Sequence, residues 1–219
     1  MSNKKYSCIM FDLDGTIVDT IESLKEAVNT ALREEGYPER SYDEVRLAIG
    51  NGAKKLMERS LPSDASNDEN IQKLFCGFHA AYRETYLMVD KCYDGIYETV
   101  CELKRRGYVL AVLSNKPDDY VKGIIDKLFP SGTFDYVRGQ TELPIKPDPT
   151  VPRLILEALG CEPFEAIYVG DSDVDIKTGK NAGMKAVGVS WGFRGRELLE
   201  REGADFIADR PEELFEMLE

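Results

Sequence analysis

Residues 6–11, Tyr6-Ser7-Cys8-Ile9-Met10-Phe11, form a mostly apolar run that stops abruptly at Asp12-Leu13-Asp14-Gly15-Thr16. A short run bounded in this way reads as a buried β-strand. A strand that stops at two carboxylates and a glycine delivers them to the carboxyl edge of a sheet, where open α/β folds bind their ligands. Two aspartates crowded into a dry site are costly unless positive charge lies between or beside them. The rest of the chain must therefore supply a divalent cation, a lysine, or both.

Two textures divide the chain. In the first, strand-like runs alternate with helical stripes. The runs are Tyr108-Val109-Leu110-Ala111-Val112-Leu113, Ala166-Ile167-Tyr168-Val169, Met184-Lys185-Ala186-Val187-Gly188-Val189 and Asp205-Phe206-Ile207. Between them lie apolar residues at helical spacing: Ile96, Val100 and Leu103, then Val121, Ile124, Ile125 and Leu128, then Val151, Leu154, Ile155, Ala158 and Leu159. This alternation predicts an α/β fold with right-handed crossovers and a doubly wound, mostly parallel sheet.

The second texture, residues 18–89, contains no convincing strand. Ile21, Leu24, Val28, Ala31 and Leu32 form one helical stripe, ended by Gly36. Ser41 and Glu44 have the spacing of a capping box. Gly50-Asn51-Gly52 breaks the chain before a short helix from Ala53, and the polar stretch 62–68 is a loop. Ile71, Leu74, Phe75, Phe78 and Tyr82 mark a longer helix. The expected domains are an α/β catalytic core, 1–17 with 90–219, and an inserted helical cap, 18–89.

A parallel sheet brings its strand ends together. Besides Asp12 and Asp14, these ends carry Ser114-Asn115-Lys116 and Gly170-Asp171-Ser172-Asp173-Val174-Asp175, and Lys146 precedes a helix. Hard oxygen donors in an incomplete cage suit Mg²⁺, which keeps waters and accepts a phosphate oxygen. Phosphoryl-transfer chemistry then assigns the roles. Asp12 is the candidate nucleophile, and Asp14 the acid and base. Ser114 and Lys146 would hold the phosphoryl oxygens, and Asp171 would ligate the metal. Asp175 would bind the metal through water or orient Lys146. Lys116 reads as a surface residue near the site, and Ser172 and Asp173 as a helix N-terminus. His79, flanked by Phe75, Phe78 and Tyr82, reads as a packing residue. Trp191 reads as core or loop packing.

Asp12-Leu13-Asp14-Gly15-Thr16, Ser114-Asn115, Lys146-Pro147 and Gly170-Asp171-x-x-x-Asp175 appear in the order of the four motifs of the haloacid-dehalogenase superfamily of phosphohydrolases, which this chain resembles over nearly its whole length. Ile49-Gly50-Asn51-Gly52-Ala53, the segment 170–175 and Trp191-Gly192 look most like its phosphoglycolate phosphatase group. The resemblance implies hydrolysis of a small phosphomonoester with Mg²⁺ through an aspartyl-phosphate, with Asp12, Asp14 and Lys146 catalytic. It implies Asp12, Asp171 and the backbone carbonyl of Asp14 as metal ligands. Thr16, Ser114, Asn115, Asn51 and Lys54 are the candidate substrate contacts, and Arg46 and Lys55 flank the same cap loop. Sugar phosphomutases, pyrophosphatases and nucleotidases share parts of this pattern. A phospho-aspartate signalling receiver needs neither a cap nor a proton donor at Asp14. Cys92-Tyr93-Asp94-Gly95 lacks the proline that relatives often carry at the second hinge.

Charge narrows the partners. The net charge is -12 and the isoelectric point about 4.7. Such a field disfavours nucleic acid and anionic lipid, and it requires any phosphate site to be locally positive. No stretch reads as a signal peptide or a membrane span. The five cysteines, Cys8, Cys76, Cys92, Cys101 and Cys161, show no Cys-x-x-Cys spacing. They read as reduced and mostly buried in a cytoplasmic protein. A small phosphorylated metabolite is the expected partner, and the protein a monomer or homodimer.

Overall fold

The computed structural model describes residues 5–218. The chain begins with β1 (Cys8–Phe11) and continues through four helices, α1 (Ile21–Glu34), α2 (Tyr42–Ala48), α3 (Ala53–Ser60) and α4 (Asp68–Thr85). Strands and helices then alternate: α5 (Ile96–Arg105), β2 (Val109–Pro117), α6 (Asp118–Leu128), β3 (Tyr136–Gln140), α7 (Thr150–Leu159) and β4 (Ala166–Gly170). The chain closes with α8 (Asp173–Ala182), β5 (Lys185–Val189), α9 (Arg196–Arg201), β6 (Phe206–Ala208) and α10 (Leu214–Leu218). Contacts divide it into two compact units, one running up to Asp19 and again from Lys91 onward, the other Thr20–Asp90.

The first unit is the α/β fold expected from the alternating texture. Its sheet has the order β3-β2-β1-β4-β5-β6, and every pairing is parallel. β1 lies inside the sheet, and Cys8, Ile9, Met10 and Phe11 are all fully buried. Two-sided burial explains why the strand reads as a continuous apolar run rather than an alternation. Phe11 sits in register with Val112 on one side and Val169 on the other. The chain therefore leaves all three strands at one level, toward Asp12, Ser114 and Asp171. The order of connection reverses between β1 and β4, and such a switch point opens a crevice at the strands' carboxyl ends.

The sheet has one strand more than the sequence suggests. β3 is an edge strand, and its residues Tyr136, Val137 and Arg138 are only half-buried. A strand covered on few sides needs no apolar run, so Tyr-Val-Arg-Gly-Gln carries little strand signal. β2 also runs on to Pro117, beyond its apolar residues.

The second unit is helical, with no strand among its described residues. Phe78 and Tyr82 are buried along α4, their rings stacked 5.2 Å apart. Ser41 caps α2 by accepting from the Glu44 amide while Glu44 accepts from the Ser41 amide, so the capping box is present. His79 packs edge-on between Phe75 and Phe78, at 4.4 and 5.7 Å. The expectation of mostly buried cysteines fails. Only Cys8 and Cys92 are buried, Cys76 is exposed, and Cys101 and Cys161 lie between. No described helix is long and apolar enough to cross a membrane.

Candidate active site

Asp12 follows β1 directly, and its amide donates to the Val169 carbonyl at 2.9 Å, which extends the β1–β4 pairing onto this candidate residue. Asp171 follows β4. Ser172 caps α8, its hydroxyl accepting from the Asp175 amide in a second capping box. That cap returns Asp175 to the sheet edge, so local helix-start chemistry places a third carboxylate. Asp12, Asp171 and Asp175 are all buried and present oxygens within 4.8 Å of one another.

One ammonium answers two of the three carboxylates. Lys146 Nζ lies 2.8 Å from Asp12 Oδ1 and donates to Asp175 Oδ1 at 2.7 Å, and Lys146 is only 4% exposed. The other Asp175 oxygen accepts from the Ser172 amide and hydroxyl at 3.1 and 2.5 Å. These contacts suit one of its two expected roles, orientation of Lys146. Burial works against the charge of Lys146, but Asp12 and Asp175 outweigh it and hold its pKa well above the usual lysine range. Asp12 responds in the opposite sense. Burial, aided by Asp175 and Asp14, pushes it up to about 7 against the pull of Lys146. Asp171 is raised well above the carboxylate range by burial and then by Asp175 and Asp12, although the Phe193 amide donates to its Oδ2 at 2.6 Å.

The residues present fit a divalent cation. Three buried carboxylates exceed one lysine in charge. Asp12 Oδ1 receives no well-directed hydrogen bond despite its nearness to Nζ. An oxygen-only set with too little positive charge suits a hard divalent cation. The backbone leaves room for that set through two glycines. A Cβ on Gly15, at φ +82°, would lie 2.5 Å from Asp171 Oδ2, and one on Gly192 would collide with Asp171 Cβ and the Gly15 carbonyl.

The end of β2 contributes three consecutive residues. Ser114 is buried, and its Oγ accepts from the Lys116 amide at 3.3 Å. Asn115 turns its amide to the main chain of Lys146. Its Oδ1 accepts from Lys146 N at 2.8 Å and its Nδ2 donates to Lys146 O at 3.1 Å. Lys116 corrects the sequence reading. It is not at the surface but 7% exposed, and its Nζ donates to Asp14 Oδ1 at 2.7 Å. A lysine before Pro117 at a strand end looks like an ordinary turn residue, and only the three-dimensional partner reveals otherwise.

The remaining candidates are placed differently. Thr16 is completely buried, with no partner for its Oγ1, and its carbonyl accepts from Trp191 Nε1 at 3.1 Å. Asn51 and Lys54 belong to the helical unit. Asn51 Oδ1 accepts from Arg59, which also donates to the Ala48 carbonyl, while Lys54 is exposed. Arg46 pairs with Asp43 and Lys55 with Glu58, both on their own helices.

Comparison with known proteins agrees with this arrangement. Residues 9–189 match the family described as haloacid dehalogenase-like hydrolase. The chain is 38% identical to the phosphoglycolate phosphatase of Aquifex aeolicus, over 96% of each chain. It is 32% identical to phosphoglycolate phosphatase 1 of Pseudomonas aeruginosa, over 94% of this chain and 77% of that one. A solved structure of a predicted phosphoglycolate phosphatase from Haemophilus somnus superposes with a TM-score of 0.90 at 29% identity, covering 100% of both chains. A parallel sheet wound in this order, with acidic strand ends around a buried lysine and a family match across most of its length, places the chain among the haloacid dehalogenase-like hydrolases.

Proposed function

We propose that the protein hydrolyses a small phosphomonoester, phosphoglycolate or a close chemical relative, through an aspartyl-phosphate on Asp12 and with Mg²⁺. The observation that carries this reading is the buried Lys146 set between Asp12 and Asp175, with Asp171 completing a carboxylate cluster. The relatives' activity supports the substrate class. Asp12, Asp171 and the Asp14 carbonyl would hold the cation, which neutralises charge between carboxylate and phosphate when bound.

In the first step an Asp12 carboxylate oxygen bonds to phosphorus as the bond to the leaving oxygen breaks. Asp14 gives its proton to that oxygen, and the alcohol departs. Lys146 and the Ser114 hydroxyl stabilise the phosphoryl oxygens as charge shifts. In the second step water attacks phosphorus, its proton passes to Asp14, and the bond to Asp12 breaks. Inorganic phosphate leaves, and both aspartates return to their starting states. Asn115 acts by fixing the Lys146 backbone. The helical unit is proposed as the selector of substrate, with Asn51 and Lys54 as its contributors. A cytoplasmic compartment fits five cysteines without a disulfide.

The test is a phosphatase screen of the purified protein against phosphorylated metabolites, with Mg²⁺ and with excess EDTA. Turnover of a small phosphorylated acid with Mg²⁺, and its loss on chelation, is the expected result. Full activity in EDTA contradicts the metal role, and no turnover across the panel contradicts the proposal.

A further inference from the structure

The contact that the proposed chemistry does not use is the ion pair between Lys116 and Asp14. Nζ and Oδ1 are 2.7 Å apart, and the two side chains are 4% and 12% exposed. An exposed pair at this distance would hold little, because water screens it and both side chains stay mobile. Shielded from water, the same pair is strongly attractive and directional.

Asp14 needs such an anchor. It lies past the end of β1, in a turn whose local pairing is a bridge between Asp14 and Val18 and a bond from the Gly15 amide to the Val18 carbonyl. Those bonds place the backbone but do not choose the carboxylate's rotamer. Lys116 is itself tied down, because its amide donates to Ser114 Oγ, the hydroxyl assigned to the phosphate. The strand end that presents Ser114 thus also carries the group that fixes Asp14.

We propose that Lys116 is a positioning residue for Asp14: it pins Oδ1 and so sets the direction of Oδ2, the oxygen that serves the leaving group and then the attacking water. This rests on the acid–base reading of Asp14 given above. It separates the two chemical steps. An aryl leaving group departs without a proton, so forming the aspartyl-phosphate from p-nitrophenyl phosphate needs no well-placed Asp14. Breakdown of that intermediate by water needs it whatever the substrate.

The test compares wild type, Lys116→Met and Lys116→Arg, with Lys116→Gln in parallel, on p-nitrophenyl phosphate and phosphoglycolate with Mg²⁺. Steady-state kinetics are combined with acid quench and intact-protein mass spectrometry. Positioned acid–base groups contribute about 10²–10⁴ in rate, so a misdirected one is expected to lower kcat at least roughly tenfold, with KM little changed for phosphoglycolate, where both steps slow, and falling with kcat for p-nitrophenyl phosphate, where only breakdown slows. With p-nitrophenyl phosphate, the phosphorylated fraction in Lys116→Met and Lys116→Gln is expected to rise above that of wild type. Lys116→Arg, which keeps a charged donor, is expected to restore part of kcat. A lysine that merely supports the fold would slow formation and breakdown together, leaving the phosphorylated fraction unchanged, and that result overturns the inference. So does a rise in KM at constant kcat, which would make Lys116 a phosphate contact. A wild type that turns over neither substrate removes the parent reading instead, and this one with it.

Discussion

Asn115 shows how a single side chain can hold a distant part of a site in place. Its amide makes two hydrogen bonds to the Lys146 main chain, across 31 residues of sequence. Replacing it by alanine leaves a buried amide and carbonyl unpaired, at about 1–3 kcal/mol each, and lets Lys146 drift from Asp12. A shift of about 1 Å in a positioned group can cost about 10²-fold in rate. Asn115→Ala is therefore expected to lower kcat by roughly that factor and to lower the melting temperature, with KM changed much less. An unchanged kcat would show that Lys146 does not need the clamp. Asp12, Asp14, Ser114, Lys146 and Asp171 are legible in sequence because each sits in a short motif at a strand or helix boundary. The partners that hold them are not. Lys116 and Asp14 lie 102 residues apart, and nothing local to either one announces the other.

At the scale of elements, the site depends on how closely the turn after β1 approaches the end of β4. Gly15 permits that approach twice over, through its positive φ and its missing side chain. Gly15→Ala forces a left-handed backbone on a residue with a Cβ, at about 1–2 kcal/mol, and drives that Cβ into Asp171. The expected result is a folded protein melting a few degrees lower, since about 1 kcal/mol corresponds to about 2–4 °C at this size. Its Mg²⁺ requirement should rise by about 10–100-fold, as it does when the partners that orient a ligand are disturbed. Thermal melts and a Mg²⁺ titration of activity check both, and wild-type values in each would dissociate Gly15 from the Asp171 position. The buried strands at the centre were readable, because two-sided burial leaves unbroken apolar runs. β3 was not, because an edge strand ending in Arg138, Gly139 and Gln140 is half-solvated and carries no such run. The capping box at Ser41 and the helix start at Ser172 were legible for the opposite reason, being wholly local chemistry.

For the whole molecule, every group assigned to bond making and breaking belongs to the α/β unit, from Asp12 to Asp171. In the proposed reading the helical unit contributes selection rather than chemistry. Asn51→Ala and Lys54→Ala are expected to lower kcat/KM for the best phosphorylated acid several-fold while sparing p-nitrophenyl phosphate. Equal losses on both substrates would signal damage to the chemistry itself, and no loss on either would remove these two residues from selection. The central claim is that Asp12 becomes phosphorylated, and it has a direct test. Asp14→Asn with p-nitrophenyl phosphate, whose leaving group needs no proton, and Mg²⁺ should form the intermediate but break it down slowly, by about 10²–10⁴-fold. Acid-quenched protein, digested and mapped by mass spectrometry, should carry one phosphoryl group on Asp12, and the Asp12→Asn variant should carry none. A phosphoryl group on another residue, or turnover by Asp12→Asn within about tenfold of wild type, a barrier change of only about 1.4 kcal/mol, would contradict the account.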